Sequence, residues 1–179
     1  MKTINVPTRE QVSPEAQVIF DQFQKRMGKV PNLYATMGYS ANALKGFVDF
    51  DASFSHGAFS GKEQEAIALV VSEVNGCKYC LAGHTVAAIR RGFTQAETLD
   101  LRRGEIADSR VDVIIKLAKS IAVNKGRADQ ALVDNFFAAG FDEGALMELV
   151  GLVTVRVFTN YVYALTEIPI DFPEAEPLS

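Results

Sequence analysis

Most of the chain between Pro14 and Glu167 repeats one pattern, in which a capping residue is followed by an apolar stripe and a glycine stop. Ser13 and Pro14 supply an N-cap and a first helical position, and Gly28 ends that first segment. Later segments end in the same way, and no run of alternating polar and apolar residues indicates a strand. The pattern therefore predicts an all-α protein, a bundle of about seven or eight helices joined by short loops.

The amino-acid composition excludes several classes of protein. The chain has 179 residues, 48% of them hydrophobic, which is enough for a core without metal or disulfide staples. Its two cysteines exclude a disulfide-framework secreted scaffold. With 18 basic and 22 acidic side chains and no long basic run, the sequence shows no basic cluster of the kind that binds nucleic acid or an anionic membrane.

The most apolar stretch, residues 145–165, is interrupted by Glu148, Arg156 and Asn160. These side chains make it too polar for an ordinary transmembrane helix. Residues 1–10 lack the basic start and apolar core of a signal peptide. A soluble, cytoplasmic protein is expected.

The two cysteines form a CxxC motif, Cys77 and Cys80, and His84 follows one helical turn later. On a helix the i, i+3 spacing places the two Cα atoms about 5 Å apart, which is within reach of a disulfide. The Asn75-Gly76 break puts Cys77 at a helix start, where free N–H groups and the helix dipole favour a thiolate. This constellation predicts a redox-active dithiol with an imidazole at hand.

Two other interpretations of the cysteines stay open. They are structural thiols buried in the core, or they bind zinc together with His84 and His56. His56 lies in a separate glycine-flanked loop, and its more ordinary role is that of a loop or interface residue. A thioredoxin-like motif would follow a strand, whereas this one follows a predicted helix.

Residues 65–84, EAIALVVSEVNGCKYCLAGH, resemble the signature of the alkylhydroperoxidase AhpD-like family, within the carboxymuconolactone decarboxylase superfamily. The family pattern is Glu, eleven residues, Cys, two residues, Cys, three residues, His. It matches Glu65, Cys77, Cys80 and His84 without a gap. The resemblance is strongest over residues 40–92, and the closing FTNYVYALTEIPIDFP is similar to that of uncharacterised peroxidase-related members.

This resemblance implies a single AhpD-like helical domain over residues 1–179, with an extended tail at 168–179 on the surface or on a neighbouring subunit. It also implies a homo-oligomer, trimer or hexamer, and a peroxidase that reduces a hydroperoxide without a bound cofactor, using an external dithiol from a thioredoxin-like or lipoyl protein. Decarboxylases of the superfamily generally lack the cysteine pair, so its presence argues against decarboxylation.

The resemblance, together with the proximity of His84, assigns a role to each motif residue. Cys80 attacks the peroxide, Cys77 resolves the sulfenic acid, and His84 exchanges the proton. Glu65 on the preceding helix orients His84, and Glu73 is the rival carboxylate, although a solvated helix-end acid is its simpler interpretation. The best-known members have histidine where this chain has Tyr79, and a phenol carries protons poorly near neutral pH. A disulfide reductase with little peroxidase activity, or a non-catalytic zinc-stabilised module, is therefore the alternative function.

Polar side chains within the last apolar run need partners. We expect Arg156 and Asn160 to form an ion pair or hydrogen bonds in the bundle or at a subunit interface, rather than to contact substrate. Six phenylalanines read as core or interface packing: Phe20, Phe23, Phe47, Phe136, Phe137 and Phe158.

Overall fold

The computed structural model describes residues 3–178, which form nine α-helices after a 3₁₀ turn at Arg9–Gln11. In chain order the helices are α1 (Pro14–Met27), α2 (Asn32–Met37), α3 (Ala41–Ser53), α4 (Gly61–Val74), α5 (Lys78–Arg90), α6 (Gln95–Arg103), α7 (Ser109–Val123), α8 (Gln130–Ala138) and α9 (Glu143–Thr166). No strand occurs in this part of the chain. The predicted all-α class is confirmed, and the eight helices longer than α2 match the predicted number.

Helix boundaries follow the capping chemistry of the sequence. Ser60 with Glu63 at the start of α4, and Thr94 with Glu97 at the start of α6, form capping boxes. Gly28 ends α1 in the left-handed conformation, with φ of 76°, a region that glycine enters without a Cβ clash. Local capping therefore sets the helix lengths before any tertiary contact is considered.

Helix α4 lies at the centre of the bundle. Its consecutive residues 66–71 are all fully buried, because α5, α6, α7 and α9 cover it from different sides. A helix that is apolar on every side needs such a cover, and the amphipathic stripe predicted for it is only part of its buried surface. Any polar side chain on α4 must consequently find a partner within the bundle.

Helix α9 has the length and hydropathy of a membrane span, but here it is a core helix whose polar side chains are paired within the bundle. Arg156 donates to Asp51 of α3 at 2.6 Å. The Asn160 amide donates to Ser72 Oγ at 3.2 Å, and its Oδ1 accepts from the Asn75 amide at 2.8 Å. The prediction of structural partners for Arg156 and Asn160 is confirmed.

The segment after α9 is extended, as predicted, and it packs on its own chain rather than lying free. Ile168 is buried beside Leu33 and the two cysteines. Asp171 accepts hydrogen bonds from Lys29 and Tyr79. The tail thus belongs to the wall around the CxxC motif; its last residue, 179, lies outside the described part.

Replacing Asn160 by alanine should lower the free energy of unfolding by about 2–4 kcal/mol, since it opens a small cavity and leaves Ser72 and Asn75 without their partner. Urea unfolding followed by circular dichroism measures the change. Asn42→Ala, on an exposed turn of α3, is the control and should cost less than about 0.5 kcal/mol. Equal losses in the two variants would contradict this role of Asn160.

Candidate active site

The turn between α4 and α5 places both cysteines. Gly76 adopts a φ of 63°, which reverses the chain, and the Cys77 N–H donates to the carbonyl of Ser72 at 2.9 Å. Cys77 is the N-cap of α5, and its sulfur accepts the N–H of Cys80 at 3.2 Å. The two cysteines are joined as a disulfide with their Cα atoms 5.3 Å apart. The predicted position at a helix start is therefore observed.

The two sulfurs differ in their access to a cavity of about 650 Å³ beside α5. Cys80, His84 and Glu65 line this cavity, whereas Cys77 is not among its lining residues. Both cysteines are nearly inaccessible, with 1% of Cys77 and 4% of Cys80 exposed. A molecule in the cavity therefore meets Cys80 first.

His84 and Glu65 form a hydrogen-bonded pair between α5 and α4. The Nδ1 of His84 lies 2.8 Å from Oε2 of Glu65, and Arg91 lies 3.5 Å from the other carboxylate oxygen. Because a carboxylate only accepts, Nδ1 is the donor, and Nε2 is left for the cavity. Glu65 thus fixes both the tautomer and the orientation of the imidazole.

Glu65 remains ionised despite its burial. Desolvation by itself would raise the pKa of this carboxyl, since only 15% of the side chain is exposed. The hydrogen bond from His84, followed by the positive charges of Arg156 and Arg91, outweighs that penalty and holds the pKa below its ordinary value. The site therefore keeps a permanent negative charge behind the imidazole.

Tyr79, between the two cysteines, has a hydroxyl group that is held in hydrogen bonds and is unsuited to proton transfer. Its hydroxyl donates to Asp171 at 2.5 Å and accepts the N–H of Leu33 at 3.2 Å. Burial, and then the neighbouring Asp171 carboxylate, raises the pKa of Tyr79 well above its usual range. The phenol is thus a fixed anchor for the tail.

One part of the cavity wall is aromatic. Tyr34 stacks on Phe23 at 4.8 Å between ring centroids and packs on Phe47 at 5.3 Å. Phe172 of the tail completes the wall beside Gly83. Burial raises the pKa of Tyr34 to about 12, so this hydroxyl stays protonated.

Several of these residues lie beyond the motif. Arg91 could have been found from the sequence, because it lies seven residues after His84 and so on the same helical face. Nothing local marks Tyr34, Asp51 or Phe172, which reach the cavity from α2, α3 and the tail.

The rival site residues lie elsewhere. Glu73, predicted to be a solvated acid, instead pairs with the buried Arg102 at 2.7 Å, because α6 packs against the end of α4. His56 is exposed in the loop between α3 and α4. Within residues 3–178 no cluster of three or more histidine, cysteine, aspartate or glutamate side chains could hold a metal ion, so the proposed zinc ligands are not assembled.

Comparison with known proteins identifies relatives of this fold. Residues 41–122 match the model of the Carboxymuconolactone decarboxylase family. An uncharacterised peroxidase-related protein from Silicibacter sp. TM1040 is 23% identical over 97% of this chain and 93% of its own, with a TM-score of 0.78. One from Ralstonia eutropha JMP134, described as an alkylhydroperoxidase AhpD core, is 14% identical over 96% and 94%, with a TM-score of 0.84.

A third similar structure is that of an enzyme named for a different activity. The debrominase Bmp8, in complex with 2,3,4-tribromopyrrole, is 18% identical over 96% of this chain and 92% of its own, with a TM-score of 0.78. A search of the curated proteins found no match. At these identities the structures establish the helical fold and not the reaction.

Replacing Glu65 by glutamine should destabilise the fold in a pH-dependent way. The depressed pKa of Glu65 means that its ionisation stabilises the folded state fully above about pH 4.5, and that this contribution is lost as pH falls through the folded-state value. Urea unfolding at a series of pH values should show a gap between wild type and variant that narrows with acid. Glu105→Gln, on an exposed acid, is the control; a Glu65→Gln gap independent of pH would contradict the assignment.

Proposed function

We propose that this chain, whose residues 41–122 match the Carboxymuconolactone decarboxylase family and whose fold is that of an alkylhydroperoxidase AhpD core, is a thiol-dependent peroxidase that reduces a hydroperoxide at the expense of an external dithiol. The observation that carries the proposal is the arrangement of Cys80 and His84 on one wall of the cavity, with Glu65 hydrogen-bonded behind the imidazole. Cys80, Cys77 and His84 are the proposed catalytic residues, and Glu65 positions His84.

In the reduced protein the Cys80 thiolate attacks the terminal oxygen of the hydroperoxide, and the O–O bond breaks. The sulfur is oxidised to sulfenic acid and the peroxide is reduced to an alcohol. The proton for the leaving alkoxide comes from His84 through Nε2, while Glu65 stabilises the charged imidazole at Nδ1.

The second step forms the disulfide bond between the two cysteines. The Cys77 sulfur attacks the sulfenic acid sulfur of Cys80, water leaves, and the Cys77–Cys80 disulfide forms. An external dithiol then returns both cysteines to thiols and is itself oxidised to a disulfide. Over one cycle, a hydroperoxide and a dithiol become an alcohol, water and a disulfide.

The proton relay is needed because thiol activation alone is too weak. Lowering a thiol pKa from about 8.5 to about 6.5 raises the thiolate fraction roughly 25-fold at pH 7. The accompanying loss of nucleophilicity is roughly eightfold, so the net gain is only about threefold. General acid–base catalysis contributes about 10²–10⁴, which makes the His84–Glu65 pair the larger effect.

Burial of the sulfurs separates this proposal from a protein disulfide reductase. Cys77 and Cys80 are almost inaccessible, so a folded protein cannot bring its own disulfide against them, whereas a small peroxide can enter the cavity. The same argument favours a slender dithiol, such as a lipoyl arm, over the flat surface of a thioredoxin-like protein. A reduced pair is maintained in the cytoplasm, where we place the protein.

A homo-oligomer is also proposed. One face of α9 carries apolar side chains at helical spacing that its own chain leaves exposed: Met147, Val150, Phe158, Tyr161 and Leu165. Exposed apolar stripes of this kind are typical of interfaces between subunits. A second copy of the chain is the proposed occupant, in line with the trimers or hexamers expected of the family.

Replacing Cys80 by serine should abolish hydroperoxide consumption, because no cysteine thiol would then line the cavity. Cys77→Ser should permit one turnover that stops at sulfenic acid, detectable by dimedone labelling and mass spectrometry. Turnover is measured as peroxide loss with dihydrolipoamide, and with a thioredoxin system for comparison. Equal residual turnover in both variants would contradict the division of roles.

The same assay distinguishes the competing reactions. Thiols that exchange with disulfides but ignore peroxides would favour the reductase alternative. A brominated pyrrole is included as a third substrate, since the aromatic wall around Tyr34 suits a flat ring and Bmp8 binds such a compound. If the dithiol is oxidised with the brominated pyrrole but not with hydroperoxides, the proposed reaction changes from peroxide reduction to reductive debromination.

Replacing Tyr161 by glutamate should dissociate the oligomer, because it places a charge in the middle of the exposed α9 stripe, where 60% of the tyrosine is accessible. Light scattering after gel filtration measures the mass. Val123→Glu, on an equally exposed residue of α7, is the matched control and should leave the mass unchanged. A wild-type protein that is monomeric would overturn this part of the proposal.

A further inference from the structure

We propose that the cavity beside Cys80 selects an apolar ligand that carries a carboxylate, held at the cavity mouth by Arg26 and Arg90. In the proposed reaction, on which this inference rests for its chemistry, the substrate is then an organic hydroperoxide with a carboxylate at its far end.

The cavity is lined by more positively charged than negatively charged side chains. Four arginines line it, Arg26, Arg90, Arg91 and Arg156, against the carboxylates of Asp51 and Glu65. Arg156 pairs with Asp51, and Arg91 lies beside Glu65. Within the described residues Arg26 and Arg90 have no carboxylate partner, so the cavity keeps a positive excess.

The two arginines without a carboxylate partner are exposed, as is Arg91 beside Glu65, and Arg156 alone of the four is buried. Arg26 and Arg90 are open to solvent although they line the cavity, whereas Arg156 is buried and its Nε has no partner in this part of the chain. A carboxylate pays a large desolvation cost in an apolar interior, but little at a solvated mouth. The head group of a ligand would therefore stay at Arg26 and Arg90, and its apolar part would extend inward.

The inner walls suit that apolar part. Phe23, Tyr34, Phe47 and Phe172 present rings to the cavity, and its volume of about 650 Å³ is that of a site for a small organic molecule. Hydrogen peroxide would leave these rings without contacts. The aromatic walls and the cationic mouth together specify an amphipathic anion.

The test compares cumene hydroperoxide with its para-carboxylate derivative, two substrates that differ only in charge. We expect kcat/KM to favour the carboxylate about tenfold at low salt, from about threefold per exposed arginine, and the preference to shrink as salt screens the charges. In an Arg26→Gln/Arg90→Gln double variant the ratio of the two kcat/KM values should fall to about one.

The control variant is Lys45→Gln/Arg103→Gln, which removes the same charge from exposed sites outside the cavity and should keep the preference. A preference that survives equally in both double variants, or that wild type lacks, would overturn the inference.

Binding of 4-isopropylbenzoate, which has no peroxide, separates this inference from the proposed function. Calorimetry should give a Kd about tenfold weaker in the Arg26→Gln/Arg90→Gln variant than in wild type. If no hydroperoxide is turned over but this difference is found, the peroxidase proposal fails and the ligand class stands. If hydroperoxides are turned over but the carboxylate binds both proteins equally, the ligand class fails and the peroxidase stands.

Discussion

The hydrogen bond between Glu65 and His84 is the constraint on which the site depends. Glu65 lies on a helix that is otherwise buried in apolar contacts, and an ionised carboxylate in such surroundings is stable only when it is paired. Its partner comes from α5, so the charge fixes how α5 packs on α4. The same contact orients the imidazole towards the cavity that Cys80 lines. One interaction therefore serves both the packing of the two helices and the proposed proton transfer.

Tyr79 shows how a departure from the family pattern changes the site. In place of a histidine between the cysteines, this chain has a buried phenol bound to Asp171, and Asp171 is also bound by Lys29. This contact ties the C-terminal tail to the CxxC turn and brings Phe172 into the cavity wall. With tyrosine at this position, His84 is the only histidine that lines the cavity in the described part of the chain, and the tail supplies part of the cavity wall.

The sequence predicts well whatever is decided locally. Capping boxes, glycine stops and the motif over residues 65–84 lie within one or two helices, so spacing alone relates Glu65, Cys80 and His84 to one another. Contacts between distant segments leave no such signal, and the Arg102 partner of Glu73 was missed for that reason. Val18 of α1 is apolar but 58% exposed, and only Ala16, Phe20 and Phe23 of that helix are buried. Apolar character in a short helix does not by itself fix which face is covered.

The unequal access of the two sulfurs also gives a reason for the order of the proposed reduction. A dithiol in the cavity reaches Cys80 and attacks it, so Cys77 becomes the leaving thiolate. That thiolate is formed at the start of α5, where its sulfur already accepts the Cys80 N–H and the helix dipole favours negative charge. A well-stabilised thiolate leaves faster, so the buried cysteine suits the leaving role and the cavity-lining cysteine suits attack on the peroxide. The helix start therefore acts in both halves of the cycle, although it touches neither substrate.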